Sequence, residues 1–220
     1  MRFVIALKSV IPSGERSSES RNLAVDFDSA PHRGATKTEI IQATTSPHIA
    51  DARSLLLEYA NALDFDLCFQ RFDAELATLP GDYAPPSGRL LIAYVNGEPA
   101  GSIALHAWMD ERIPDSSPTN VVPHPCRSDS ALERQVGNTT ICEMKRLYVR
   151  PQLRGHRLAH QLIDRLISEA HTIGYTQMRL DTVVGTMDAA INLYRQYGFY
   201  EIPPYRPNPQ PRVLYFELKL

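Results

Sequence analysis

The 220-residue chain predicts an α/β protein, a mixed sheet covered by helices. Three observations carry this expectation. Over the last third, strand and helix patterns alternate before two late strands, the order of a sheet with crossover helices. An Asn-Gly pair between two apolar runs in the middle of the chain marks an antiparallel hairpin. The clearest helical stretch is apolar on one face only and needs a sheet to cover.

The elements follow in order. Residues 1 to about 37 hold Ser, Arg, Gly and scattered apolar residues without sustained periodicity, and read as an N-terminal extension to which the sequence assigns no role; the domain proper spans 38–220. Glu39 to Ala43 is a short strand candidate, and Ser46-Pro47 supplies an N-cap followed by a first-turn proline. Ile49, Ala52, Leu55, Leu56, Tyr59, Ala60 and Leu63 continue at helical spacing. A shorter helix over Phe69 to Leu79 ends at Pro80-Gly81. The runs Arg89 to Val95 and Pro99 to Trp108 flank Asn96-Gly97-Glu98 and form the hairpin. Met109 to Thr140, with Pro114, Pro118, Pro123 and Pro125, is too long for an ordinary hairpin connection and reads as a flap or excursion. Ile141 to Val149 is a strand, and a helix beginning near Gly155 carries Leu158, Leu162, Ile163, Leu166, Ile167, Ala170 and Ile173 to a stop at Gly174. A strand over Gln177 to Thr182, a helix from Met187 to Tyr197 ended by Gly198, and late strands around Phe199 to Ile202 and Val213 to Leu220 complete the pattern.

Composition narrows the function. With 43% hydrophobic and 22% charged residues the chain has material for a full core. A net charge of −2 gives no whole-chain attraction to nucleic acid or an anionic membrane, and neither is expected as a partner. The longest apolar run, Leu90 to Val95, falls far short of the roughly 20 residues that span a bilayer. Cys68, Cys126 and Cys142 are odd in number and widely spaced, which fits a reducing compartment; with no secretion signal legible at Met1 to Lys8, a soluble, cytoplasmic protein is expected. His106, His124, Cys126 and Cys142 make a poor zinc set, because only His124-Pro125-Cys126 is clustered and proline stiffens that pair, so no metal is expected.

Charge concentrates in one place. Between Lys145 and Arg165 stand Lys145, Arg146, Arg150, Arg154, Arg157 and Arg165 against Asp164 alone. A helix start with a glycine offers unpaired N–H groups and the positive end of the helix dipole, which suits a phosphate; a solvated basic helix end is the plainer reading. The run from Glu143 to Ala159, with Leu147-Tyr148-Val149 and Gln152-Leu153-Arg154-Gly155-His156-Arg157, resembles the acyl-CoA-binding motif of the GNAT superfamily of N-acetyltransferases, a strand ending L-x-V followed by Q/R-x-x-G-x-G/A opening a helix. About 40 residues on, Asn192-Leu193-Tyr194-Arg195-Gln196-Tyr197-Gly198-Phe199 is similar to the family's L-Y-x-x-x-G-F signature. The chain departs from the pattern at Arg157, where a small residue is usual, and at Met187, where many relatives place an asparagine.

The resemblance covers about Thr38 to Leu220 and implies a mixed, mostly antiparallel central sheet with helices on both faces. It implies acetyl-CoA as co-substrate. The backbone of Leu147, Tyr148 and Val149 would bind the pantetheine arm as an added strand, and Arg154, Gly155, His156, Arg157, Leu158 and Ala159 would hold the pyrophosphate. Arg157 is expected in helical conformation with its guanidinium turned outward or toward phosphate. An acceptor amine attacks the thioester directly and must lose a proton, for which Glu143 stands where the family keeps its base. The plainer reading of Glu143 is a strand carboxylate paired with Lys145 or Arg146. The Leu147 N–H would face the carbonyl oxygen, and Tyr194 would be the acid for the departing thiolate, core packing being the alternative.

The acceptor is less legible. Asp64, Asp66, Asp73 and Glu75 outnumber Arg71 in the segment that borders the family's acceptor groove, which reads as surface solvation or as preference for a cationic amine. Arg206, in the proline-rich stretch 202–209, is placed to pair with a carboxylate; a small zwitterion would satisfy both clues. Trp108 reads as strand packing or as lining of that pocket. The expected activity is N-acetylation of a small-molecule primary amine. Acetylation of a protein terminus or lysine, and a non-catalytic CoA-binding regulatory module, are the rivals; homodimerisation stays open.

Overall fold

Central strands that are apolar at consecutive positions must be covered on both faces. In the computed structural model, which describes residues 37–65, 67, 71–108 and 140–220, they are. Leu91 and Ala93 point into a core built with Leu158, Leu162, Ile163 and Leu166, while Leu90 and Ile92 point into a second core with Ala52, Leu55 and Tyr83. The N-terminal extension, the 109–139 excursion, Asp66, Cys68, His124 and Cys126 lie outside the described residues.

The strands are β1 (Thr38–Gln42), β2 (Arg89–Val95), β3 (Glu98–Ala107), β4 (Ile141–Val149), β5 (Gln177–Val183), β6 (Tyr200–Ile202) and β7 (Val213–Lys219). They form one sheet in the order β1-β2-β3-β4-β5-β7-β6. Every neighbouring pair is antiparallel except β4 with β5. Helices α1 (Ser46–Asn61) and α2 (Phe72–Thr78) cover one face; α3 (Leu158–Ile173) and α4 (Asp188–Gln196) cover the other. The expected mixed, mostly antiparallel sheet between two helical layers is the observed one.

Local chemistry explains most boundaries. Asn96 and Gly97 both take positive φ, 52° and 88°, the turn whose twist matches a tight hairpin. Gly174 stops α3 at φ 101°. Two expectations shift. The cap of α1 is Thr45, whose Oγ1 accepts from the His48 N–H, so Ser46 and Pro47 lie inside the first turn. The helix expected near Gly155 starts at Leu158, after a short 3₁₀ turn at Pro151–Leu153.

Two features of β4 position the site. Its pairing with β5 covers only Ile141, Cys142 and Glu143, after which the two strands part. On its other edge a β-bulge sets Arg146 and Leu147 together against Ile103, with Arg146 in the left-handed region at φ 59°. An L-residue there costs about 1–2 kcal/mol. The surroundings hold it: the buried Arg146 guanidinium donates from Nε and NH2 to both oxygens of Glu75 on α2, at 2.8 and 2.5 Å, and lies over the Phe72 ring. The Tyr83 hydroxyl donates to the same carboxylate at 2.8 Å.

Candidate active site

Where β4 and β5 part, a cleft opens between Met144 to Leu147 on one strand and Leu180 to Val183 on the other, with Tyr59, Met187 and Tyr194 among its walls. Beyond Glu143 no described strand pairs with β4 on the cleft side, so its edge there keeps unsatisfied peptide groups. That edge runs through Val149 into the turn before α3. Gly155 takes φ 84° and Arg157 φ 59°; among the described residues nothing lies within 4 Å of where a Gly155 Cβ would stand and no side chain caps the helix. The first intrahelical bond at this end is from the Gln161 N–H to the Arg157 carbonyl, which leaves the amides of Leu158, Ala159 and His160 without helical partners. An open strand edge leading to uncapped amides fits an extended amide chain that ends in a diphosphate.

Arg157 therefore departs from the helical conformation expected of it. It is the residue before the helix, at a turn where the left-handed conformation favours glycine. Arg157→Gly is expected to stabilise the fold by about 1 kcal/mol, a rise in Tm of about 2–4 °C. Acetyl-CoA affinity, read by calorimetry on the same samples, should change by less than about threefold, because a lone exposed guanidinium adds little. A loss of tenfold or more would put that guanidinium on the phosphate.

The concentration of cations between residues 145 and 165 is largely dispersed by folding. Arg146 faces α2 and binds Glu75; Arg150 donates to both oxygens of Glu58 on α1 at 2.9 and 2.7 Å; Arg165 pairs with Glu169 on its own helix. Lys145 turns toward Glu143, 3.7 Å away. Only Arg154 and Arg157 of that group are exposed at the turn itself, and the Arg154 Nε donates to the Val149 carbonyl.

Glu143 has an environment that its position in the sequence did not reveal. It is fully buried and lines neither the cleft nor the second cavity described below. His106 Nε2 lies 2.9 Å from one carboxylate oxygen, the Tyr205 hydroxyl donates to the other at 2.7 Å, and Arg206 and Lys145 stand at 3.3 and 3.7 Å. Burial alone would raise its pKa, but the His106 hydrogen bond and the charges of Lys145 and Arg206 override it and hold the carboxyl at about 2. A carboxylate so stabilised is a weak proton acceptor. Of its two cationic neighbours in sequence, Lys145 approaches it, whereas Arg146 binds Glu75.

Arg206 is likewise committed within the fold. Its NH2 donates to Asp181 on β5 at 2.5 Å, and Asn208 donates to the other Asp181 oxygen at 2.7 Å. The stretch between β6 and β7 thus ties β4 to β5 just where they part, so the carboxylate that Arg206 was expected to take from a substrate is supplied internally. Trp108 packs edge-on against Tyr205, ring centres 4.8 Å apart.

Tyr194, on α4, packs its ring near Phe199 and Phe216 and lines the cleft. Burial, then the charges of Tyr59 and Asp181, push its pKa well up, so it carries its proton throughout the neutral range. Asn192 of the same helix is exposed, and Asp188 accepts from the Gly185 N–H at 2.8 Å.

Beside the cleft lies a cavity of about 350 Å³. Its walls come from α2, the 3₁₀ turn at Gly81–Tyr83, His106 and Lys145, with Arg71, Glu75 and Asp82 supplying charge of both signs. Sequence reading pointed to Arg71 and Glu75 but gave no sign of His106 or Lys145 at this place, because both depend on which faces of β3 and β4 meet α2. Among the described residues no group of three or more His, Cys, Asp or Glu could hold a metal ion, and no helix is long and apolar enough to cross a membrane.

Solved structures that align with this architecture include acetyltransferases. One from Streptococcus agalactiae aligns with TM-score 0.59 at 21% identity, over 83% of this chain and 98% of its own. A GNAT-family acetyltransferase from Staphylococcus aureus aligns with TM-score 0.57 at 18% identity, over 83% and 100%. At these identities the likeness is one of fold. An uncharacterized N-acetyltransferase of Schizosaccharomyces pombe is 34% identical over 171 residues, 77% of this chain and 87% of its own. Another from Dictyostelium discoideum is 31% identical over 206 residues, 78% of this chain and 94% of its own. The fold and these relatives define an enzyme of the acetyl-CoA-dependent acetyltransferase class. The model of the acetyltransferase (GNAT) family matches residues 50–199, and the chain belongs to that family.

Proposed function

We propose that this chain transfers the acetyl group of acetyl-CoA to the primary amine of a small molecule by direct attack of the amine on the thioester. The observation that carries the proposal is the parting of β4 from β5 after Glu143, which leaves Leu147, Tyr148 and Val149 an open edge leading to uncapped amides. In this reading the peptide groups of Leu147 to Val149 bind the pantetheine arm. Arg154, Gly155, His156, Arg157, Leu158 and Ala159 surround the diphosphate, and the thioester lies in the cleft beside Tyr194.

Tyr194 gives a proton to the departing sulfur. Its hydroxyl, protonated at neutral pH and in the cleft wall, suits that role. The Leu147 N–H stabilises the negative carbonyl oxygen at the tetrahedral stage. Glu143 is the fixed negative charge around which His106, Tyr205 and Arg206 are arranged, not the proton acceptor that its position in the motif suggests.

A small acceptor is favoured by the cavity. About 350 Å³ is within the range of small-ligand sites, and walls carrying charge of both signs suit an amine that also bears a carboxylate.

Two measurements test the reading. Acetyl-CoA at about 100 times its Kd should stabilise the folded chain by roughly 2.7 kcal/mol, raising Tm by about 5–10 °C. Thiol release from acetyl-CoA should then depend on added amine, with amino acids and polyamines outpacing peptides. No thermal shift would end the case for CoA binding. Release with peptides alone would move the acceptor to a protein.

A further inference from the structure

Among the described residues in the walls of the cleft and of the adjoining cavity, Lys145 alone belongs to both. It sits on β4 beside the bulge, with 11% of its side chain exposed, at the partition between the space suited to the thioester and the space suited to the acceptor. Resting on the function proposed above, we propose that the Lys145 amine is the catalytic proton acceptor, taking a proton from the acceptor ammonium as it passes from the cavity to the thioester.

Three observations support this. The side chain borders both the cavity that suits the acceptor and the cleft that suits the thioester. The environment weakens the charged form: burial, then the charges of Arg206 and Arg146, lower the Lys145 pKa, while Glu143 and Asp181 oppose the shift. The other charged or titratable groups in the two walls it shares are Arg71, Glu75, which is bound to Arg146, Asp82, Tyr83 and His106, which is bound to Glu143, in the cavity, and Tyr59 and Tyr194 in the cleft. And Glu143, the other candidate, is outside both cavities and held near pKa 2.

The step balances as follows. The acceptor arrives as an ammonium and gives one proton to the Lys145 amine in its unprotonated form, a form that burial favours relative to an exposed lysine, and keeps its electron pair. That pair forms the C–N bond at the carbonyl carbon. The C–S bond breaks with its electrons on sulfur, and sulfur receives a proton from Tyr194. The tyrosine recovers one from the second N–H of the new amide, and Lys145 returns its proton to solvent. One acetyl-CoA and one ammonium give one amide, one thiol and one released proton.

The test uses Lys145→Met and Lys145→Arg in the full chain. Both should fold, because Glu143 keeps His106, Tyr205 and Arg206. Wild-type thiol release with the best amine of the panel is measured first; no release with any amine overturns the functional reading and this assignment together. Given wild-type release, both variants should lose about 10²–10³ in kcat/KM at pH 7, with the deficit narrowing as pH rises and the acceptor amine deprotonates unaided. Acetyl-CoA affinity should stay within about threefold. Arginine keeps the charge but does not deprotonate. Wild-type turnover in Lys145→Arg, or a Lys145→Met pH profile parallel to wild type, overturns the assignment and leaves the acetyltransferase reading intact.

Discussion

Glu143→Gln is expected to destabilise the fold by about 3–5 kcal/mol, the range for removing one member of a buried charge cluster. The amide keeps the shape of the carboxylate but removes the buried negative charge that faces Lys145 and Arg206, of which Arg206 retains Asp181. The pH dependence distinguishes this from generic damage. A carboxyl held near pKa 2 in the fold, against about 4.5 when unfolded, contributes stability that is present in full above 4.5 and lost as pH falls toward 2. Other carboxylates with lowered pKa, those of Glu58, Glu75, Glu169 and Glu217, add to the same slope in both proteins. Hence the quantity to measure is the difference in unfolding free energy between wild type and variant. It should be largest near neutrality and shrink between pH 4.5 and 2; a difference that stays constant would show that Glu143 is not the buried anion described.

The same variant bears on mechanism through the sign of a shift. Glu143 favours the charged form of Lys145, so removing its charge moves the Lys145 pKa further down and carries the acid limb of the rate profile to lower pH. Were Glu143 the proton acceptor, its loss would instead depress the rate most at low pH.

Tyr194→Phe is expected to reduce kcat by about 10²-fold or more, the scale of a lost general acid. The ring contacts with Phe199 and Phe216 remain, and no described residue accepts a hydrogen bond from the hydroxyl, so the change strands no buried partner. Tm should move by no more than about 2 °C and acetyl-CoA affinity by less than about threefold. Turnover within threefold of wild type would return Tyr194 to a packing role.

The regular elements were legible because their signals are local. Alternation and helical spacing need only neighbours, and the Asn96-Gly97 turn and the Gly174 stop are written in residues that tolerate positive φ. Arg157 misled for the same reason. An arginine is compatible with helix by propensity, and only the backbone path from β4 through the 3₁₀ turn requires the left-handed conformation there. The six cations between 145 and 165 misled differently. Counting by position treats charges as neighbours, whereas strand alternation and helix rotation send Arg146 to Glu75, Arg150 to Glu58 and Arg165 to Glu169.

By itself the sequence determined the order of strands and helices, the two-faced burial of the central strands, and the family, since each depends on periodicity or on a short run of residues. Tertiary structure decided which titratable groups face a cavity and which are sealed against partners. Glu143 and Lys145 are two residues apart on one strand, and nothing in their spacing separates a buried anion from an amine on two cavity walls. That difference comes from what packs over each side chain, and burial and neighbouring charge set the proton affinity.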